Sequence, residues 1–157
     1  MPLFTKQSAL RFQHPYPVNS KGIRILHVDD DQVDGLIVRK VLKNLHIEDV
    51  VQASNGEDAL NLLRNLADTS SSLPDLLLVD INMPRMNGLE LLQAIRTDER
   101  FRHLPVFVLT TSDDEADRKA AFQMNVAGYF LKGLDMAEQE KTFNVLKSFW
   151  ELNRFID

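Results

Sequence analysis

The chain contains no cysteine, which excludes disulfides, thiolate catalysis and cysteine-ligated metals together. No apolar run approaches the roughly 20 residues that a membrane-spanning helix needs. Lys6 and Arg11 near the amino terminus are not followed by an apolar segment, so no signal peptide is expected. Positive charge is not in excess: the formal net charge is −5, which offers no global attraction to nucleic-acid phosphates or anionic lipid. No His-x-x-x-His spacing occurs among the four histidines, so a zinc site is not expected. His27 lies within an apolar strand and reads as a packing residue, whereas His14, His46 and His103 fall in tail or loop regions. These absences fit a cytoplasmic protein that engages neither nucleic acid nor membrane.

What remains is ordinary globular composition. With 157 residues, 44% of them hydrophobic and 26% charged, the chain suits one domain around a single core. Residues 1–21 stand apart, with Pro2, Pro15 and Pro17, no acid, and Phe4, Leu10, Phe12 and Tyr16 at no regular spacing. They read as a flexible N-terminal extension. The alternative is an arm that packs on the domain at 22–157 or on a partner.

From Gly22 the pattern alternates between short apolar runs and helical periodicity. Strands are expected at about 23–28, 50–53, 75–79, 105–109 and 128–131. Helices are expected at about 32–45, through Ala59 to Leu66, near 89–96, near 113–124, and from about 136 onward. The run Asp68-Thr69-Ser70-Ser71-Ser72-Leu73-Pro74 is a turn-rich loop. The strand at 75–79 is almost continuously apolar, as expected of a strand covered on both faces. Strict alternation without hairpins predicts an α/β fold with a parallel sheet between two layers of helices.

In such a sheet, ligands bind outside the carboxyl ends of the strands. Polar groups collect at those ends: Asp29 and Asp30 after the first strand, Asp80 after the third, Thr110 after the fourth and Lys132 after the fifth. A hard cation such as Mg²⁺ needs one or two carboxylates and retains water. Asp30 and Asp80 could supply them, with Asp29 acting directly or through water and the Asn82 carbonyl adding an oxygen. Asp31 is best placed to cap the following helix, and a cap needs only one of the three acids. Clustered carboxylates repel, and Lys132 is the natural counter-charge. Ser112 with Glu115 reads as a capping box, which leaves Thr110 free to face the site. An ionised aspartate can attack phosphorus to form an acyl phosphate, and surrounding positive charge stabilises the transferring group. Asp80, on the inner strand, is the best nucleophile.

Five segments in order resemble the receiver domain of two-component response regulators. They are Ile25-Leu26-His27-Val28-Asp29-Asp30-Asp31, Asn55-Gly56-Glu57-Asp58-Ala59-Leu60, and Pro74 to Pro84 continuing into Met86-Asn87-Gly88-Leu89-Glu90-Leu91-Leu92. Leu104-Pro105-Val106-Phe107-Val108-Leu109-Thr110 and Ala127-Gly128-Tyr129-Phe130-Leu131-Lys132 complete the set. The resemblance spans about residues 22–152. It implies a doubly wound, flavodoxin-like (βα)5 fold with strand order 2-1-3-4-5. It further implies that Asp80 accepts a phosphoryl group from a phosphohistidine on a sensor histidine kinase. Asp29, Asp30, Asp80 and the Asn82 carbonyl would bind Mg²⁺, while Thr110 and Lys132 would contact the phosphoryl oxygens. Tyr129 matches the aromatic switch position coupled to Thr110. Asn82 and Ser112 occupy the positions that tune dephosphorylation in that family. The chain would not be an enzyme in the ordinary sense, although it would assist its own phosphorylation and dephosphorylation.

Gly133 departs from the family pattern, which usually has proline after the lysine; a cis peptide is less expected there. No output domain is expected after the last helix, so the chain resembles a stand-alone receiver. Thr110-Thr111-Ser112, the serine loop before Pro74 and Ser148-Phe149-Trp150 are similar to receivers paired with bacterial phytochromes. The last helix carries two apolar stripes: Phe143, Leu146 and Trp150, then Phe149, Leu152 and Ile156 with Phe155 beside them. Either both are covered by the fold, or the second forms a homodimer face with helix 4 and strand 5. Three other functions compete: a Mg²⁺-dependent phosphohydrolase with an aspartyl nucleophile, a flavodoxin-like cofactor binder, whose phosphate Asp29, Asp30 and Asp31 would repel without a metal, and an interaction-only receiver without chemistry. In the hydrolase, a general acid would stand two residues after the nucleophile, where this chain has Asn82.

Overall fold

The computed structural model describes residues 22–133 and 135–153. The N-terminal extension at 1–21, and Phe155 and Ile156 of the second stripe, lie outside them. The apolar runs form β1 (Arg24–Val28), β2 (Asp49–Ala53), β3 (Leu76–Val79), β4 (Val106–Thr110) and β5 (Gly128–Leu131). Between and after them run α1 (Gln32–Asn44), α2 (Gly56–Asp68), α3 (Gly88–Thr97), α4 (Glu115–Gln123) and α5 (Met136–Leu152). All strand pairings are parallel, in the order β2-β1-β3-β4-β5. The α/β expectation and the strand order therefore both hold.

Burial explains the strand sequences. Every residue of β3 and β4 is buried, because helices cover both faces of the inner strands. Successive side chains alternate between two cores. Leu77, Val79, Val106 and Val108 pack with α2 and α3, while Leu76, Leu78, Phe107 and Leu109 pack against α1 and α5. Phe143, Leu146 and Trp150 close the second core from α5. From the other stripe, Phe149 sets its ring edge-on to Phe107 at 5.0 Å, whereas Leu152 is exposed.

Each helix starts at an Asp or Asn whose carboxylate or amide oxygen accepts a first-turn backbone N–H. Asp31 caps α1 as expected, accepting from Val33 and Asp34, and Asn55, Asn87 and Asp135 cap α2, α3 and α5. The expectation for α4 is corrected. Asp114, not Ser112, is its N-cap, accepting from the Asp117 N–H at 3.0 Å. Two overlapping cap sequences compete there, and the later one wins because the Ser112 hydroxyl donates to the Asp117 carboxylate at 2.7 Å. Thr110 is the last residue of β4 rather than the first beyond it.

Arg96 of α3 ties the far end of the domain together. Its guanidinium donates to the carbonyls of Arg102, Leu104, Met124 and Asn125, bracing the loops before β4 and β5.

Candidate functional site

Strand register sets the edge where the polar residues meet. Val28 pairs with both Ala53 and Val79, so β1 and β3 end side by side. The Asp29 N–H then donates to the Ala53 carbonyl at 3.1 Å and the Asp80 N–H to the Val28 carbonyl at 2.9 Å. At the other side, the Lys132 N–H donates to the Thr110 carbonyl at 2.8 Å. The backbone ladder thus extends through the site, and its side chains inherit the rigidity of the sheet.

Lys132 is the centre of charge. Its ammonium stands 2.7 Å from Asp34 Oδ2, 2.8 Å from Asp29 Oδ2 and 3.0 Å from Asp80 Oδ2. Burial pulls its pKa down, but the three carboxylates outweigh that and the net shift is upward. Asp34 was not among the residues expected from the sequence. The signal was present: a first-turn helical side chain leans back toward the helix N-terminus, here toward the carboxyl edge of the sheet.

Carboxylate oxygens of Asp29, Asp30 and Asp80 lie within 4.8 Å of one another. Asp80 Oδ1 accepts from the Ile81 N–H at 2.7 Å, and Asp29 Oδ1 from the Asp31 N–H at 2.9 Å. Asp29 Oδ2 is buried and faces Lys132 without an aligned hydrogen bond. Burial raises the Asp29 pKa despite Lys132 and the Asp31 N–H, which stabilise its charge. A buried oxygen lacking a hydrogen bond, beside two further carboxylates, is a donor set that fits a hard divalent cation.

His27 lies beneath this cluster, with Nε2 3.8 Å from Asp29 Oδ2. Burial, and then the nearby Lys132 charge, lower its pKa to about 4, so it is neutral near pH 7. Its expected packing role holds: it is buried, and Nδ1 lies 3.4 Å from Gln52 Nε2.

Thr110 is fully buried, and its hydroxyl oxygen accepts the Ser112 N–H at 3.2 Å. The Tyr129 hydroxyl donates to the Ser112 carbonyl at 2.8 Å. Ser112 therefore links Thr110 to Tyr129, whose ring is half-buried and tilted against Phe122 with centroids 6.5 Å apart. Asn82 lies exposed in the loop after β3, two residues beyond Asp80. After Lys132, a Cβ on Gly133 would stand 2.9 Å from Glu138 Cβ and 3.0 Å from the Gln139 nitrogen. The first turn of α5 occupies the space a larger residue would need. No cis peptide occurs among the described residues.

Known proteins resemble this chain in sequence and fold. Residues 25–144 match the response regulator receiver domain. The response regulator Rcp1 of Synechocystis is 32% identical over 128 residues, spanning 80% of this chain and 87% of its own. The phosphorylated cyanobacterial phytochrome response regulator RcpA superposes with a TM-score of 0.75 at 29% identity, covering 83% of this chain and 94% of its own. A Mn²⁺-bound structure of response regulator Rcp1 gives a TM-score of 0.74 at 30% identity, covering 86% and 99%. With its residue match running from β1 into α5, the chain belongs to the response regulator receiver domain family.

Proposed function

We propose that the chain is a response regulator that takes a phosphoryl group on Asp80 from a sensor histidine kinase and thereby changes which partner it binds. The observation that carries this reading is the setting of Asp80: a buried carboxylate at the end of an inner strand, 3.0 Å from the Lys132 ammonium and clustered with Asp29 and Asp30. An Asp80 oxygen attacks phosphorus as the P–N bond of the phosphohistidine breaks, and the bonding pair returns to the imidazole. Asp29, Asp30, Asp80 and the Asn82 carbonyl are the proposed ligands of Mg²⁺. Bound there, Mg²⁺ would neutralise charge on the phosphoryl oxygens. Lys132 supplies fixed positive charge beside the same oxygens, and Thr110 a hydroxyl.

The switch follows from the Thr110–Ser112–Tyr129 chain. If the Thr110 hydroxyl turns to a phosphoryl oxygen, the Ser112 N–H loses its acceptor and the Tyr129 anchor shifts with it. New charge-assisted bonds would then bias a two-state element. Asn82 and Ser112, two residues beyond Asp80 and Thr110, are proposed to set the lifetime of the acyl phosphate.

The kinase partner is proposed to be a bacterial phytochrome, supported by the similarity to RcpA. Val33 and Leu36, exposed on the first turns of α1, offer an apolar contact near the acids. A homodimer through α4, β5 and α5 is supported by exposed Phe122, Leu131, Val145 and Leu152 on those elements. A cytoplasmic location agrees with the lack of cysteine, and among the described residues no helix is long and apolar enough to cross a membrane. A phosphohydrolase is less well supported, because Asn82 cannot donate a proton as an acid would. An interaction-only receiver leaves the convergence of Asp29, Asp80 and Lys132 without a purpose.

Incubation with Mg²⁺ and a small phosphodonor, followed by intact-mass measurement, tests the reading. One phosphoryl adduct is expected on the native chain and none on Asp80→Asn. An adduct that survives in Asp80→Asn would overturn the assignment of the acceptor.

A further inference from the structure

The Lys132 ammonium has three donors, and three carboxylates surround it. Two of these, Asp29 and Asp80, belong to the cluster that fits a divalent cation. The third, Asp34, comes from the first turn of α1, gives the shortest of the three contacts at 2.7 Å, and is not in that cluster. Its side chain is partly exposed, whereas those of Asp29 and Asp80 are almost entirely buried.

A lone ammonium between Asp29 and Asp80 would neutralise the charge that a cation needs. Drawn also toward Asp34, the same ammonium is shared among three elements. Asp34 adds one further negative charge to the site without occupying a metal ligand position. We propose that Asp34 is a positioning residue that holds Lys132 toward α1, so that Asp29 and Asp80 keep enough negative charge to bind a divalent cation. This rests on the cation site of the preceding reading, but not on phosphoryl transfer.

In Asp34→Asn the amide no longer attracts the ammonium, and Lys132 settles on Asp29 and Asp80. The expected result is a Mg²⁺ dissociation constant raised about tenfold, read by calorimetric titration. Asp34→Glu restores the carboxylate and is expected to recover most of the affinity. Asp31→Asn removes an equal charge three residues away while keeping a competent helix cap. Asp31 makes no contact with Lys132 among the described hydrogen bonds and ion pairs, so its variant sets the baseline for a general charge effect. It is expected to shift the constant by no more than about twofold.

Equal effects of Asp34→Asn and Asp31→Asn would overturn the proposal, as would a failure of Asp34→Glu to recover affinity. A native chain that binds Mg²⁺ with these differences but takes no phosphoryl group removes the phosphoacceptor reading and leaves this one standing. A native chain that does not bind Mg²⁺ removes both.

Discussion

Gly88 packs directly on the backbone of Asp80: a Cβ added to it would stand 2.9 Å from the Asp80 carbonyl carbon and 2.9 Å from Ile81 Cα. The Gly88 N–H also donates to the Ile81 carbonyl at 2.9 Å. The start of α3 is thus seated on the strand-to-loop junction that orients the Asp80 side chain. Gly88→Ala must displace backbone rather than a flexible side chain. We expect a loss of about 2 kcal/mol in urea unfolding with an unchanged slope, together with slower adduct formation on Asp80. An unaltered urea midpoint would mean that the loop yields freely and the packing does not orient the acceptor.

Lys132 holds together acids that would otherwise repel one another. Its side chain and those of Asp29 and Asp80 are largely withdrawn from water. Lys132→Met keeps most of the aliphatic volume and removes the charge. Without divalent cation, it is expected to lower stability by about 3 kcal/mol, because it leaves buried carboxylates uncompensated. Saturating Mg²⁺ is expected to return much of that loss, since the cation supplies the missing charge. Thermal unfolding of the native chain and the variant, each with chelator and with Mg²⁺, checks both statements. A variant equally destabilised in both conditions would point to lost packing instead.

Most of the site was legible because strand ends are legible. An apolar run of four to five residues stops where the sheet stops, so Asp29, Asp30, Asp80, Thr110 and Lys132 could be located without knowing any side-chain direction. Strand order came from the family resemblance, because the alternation of elements does not select it. The sequence does not single out Asp34, for a physical reason. Its relevance depends on the rotation of α1 about its own axis, which is settled by packing of Val38, Val41 and Leu42 on the sheet. The cap of α4 is ambiguous in the sequence because Ser112 and Asp114 each begin a plausible capping sequence. The choice was made by long-range contact: Tyr129, from β5, holds the Ser112 carbonyl, and the Ser112 hydroxyl turns to Asp117.

His27 gives the metal-free protein a definite pH dependence. Its pKa falls from 6.5 in the unfolded chain to about 4 in the folded one, mainly through burial. Between those values the unfolded state binds more protons, so stability is fully present above pH 6.5 and declines as pH falls toward about 4. The loss across that window is on the order of 3 kcal/mol. Asp29 acts oppositely, because burial raises its pKa and protonation of the folded state is favoured at the acid end. His27→Leu should therefore flatten the decline between pH 6.5 and 4, and in that variant the Asp29 contribution is exposed. Chemical unfolding at several pH values in chelator measures the slope. The same slope in native and His27→Leu chains would assign the acid sensitivity elsewhere.

The exposed apolar side chains of α4, β5 and α5 supply the test of self-association. Phe122 and Leu131 stand out on neighbouring elements, and Phe122 also contacts the ring of Tyr129. A two-fold interface would use the same patch on both copies, so a change at one position acts twice. Light scattering at micromolar concentration is expected to give twice the chain mass after phosphorylation, with a smaller dimer fraction before it. Phe122→Ser with Leu131→Lys should return the phosphorylated chain to a single-chain mass while leaving the Asp80 adduct intact, since neither side chain contributes to the acid cluster. Tyr129→Phe should weaken the dependence of mass on phosphorylation, because it removes the hydroxyl that donates to the Ser112 carbonyl. A single-chain mass in both phosphorylation states of the native protein would rule out this face as a dimer contact. Its apolar residues would then be left for a different partner.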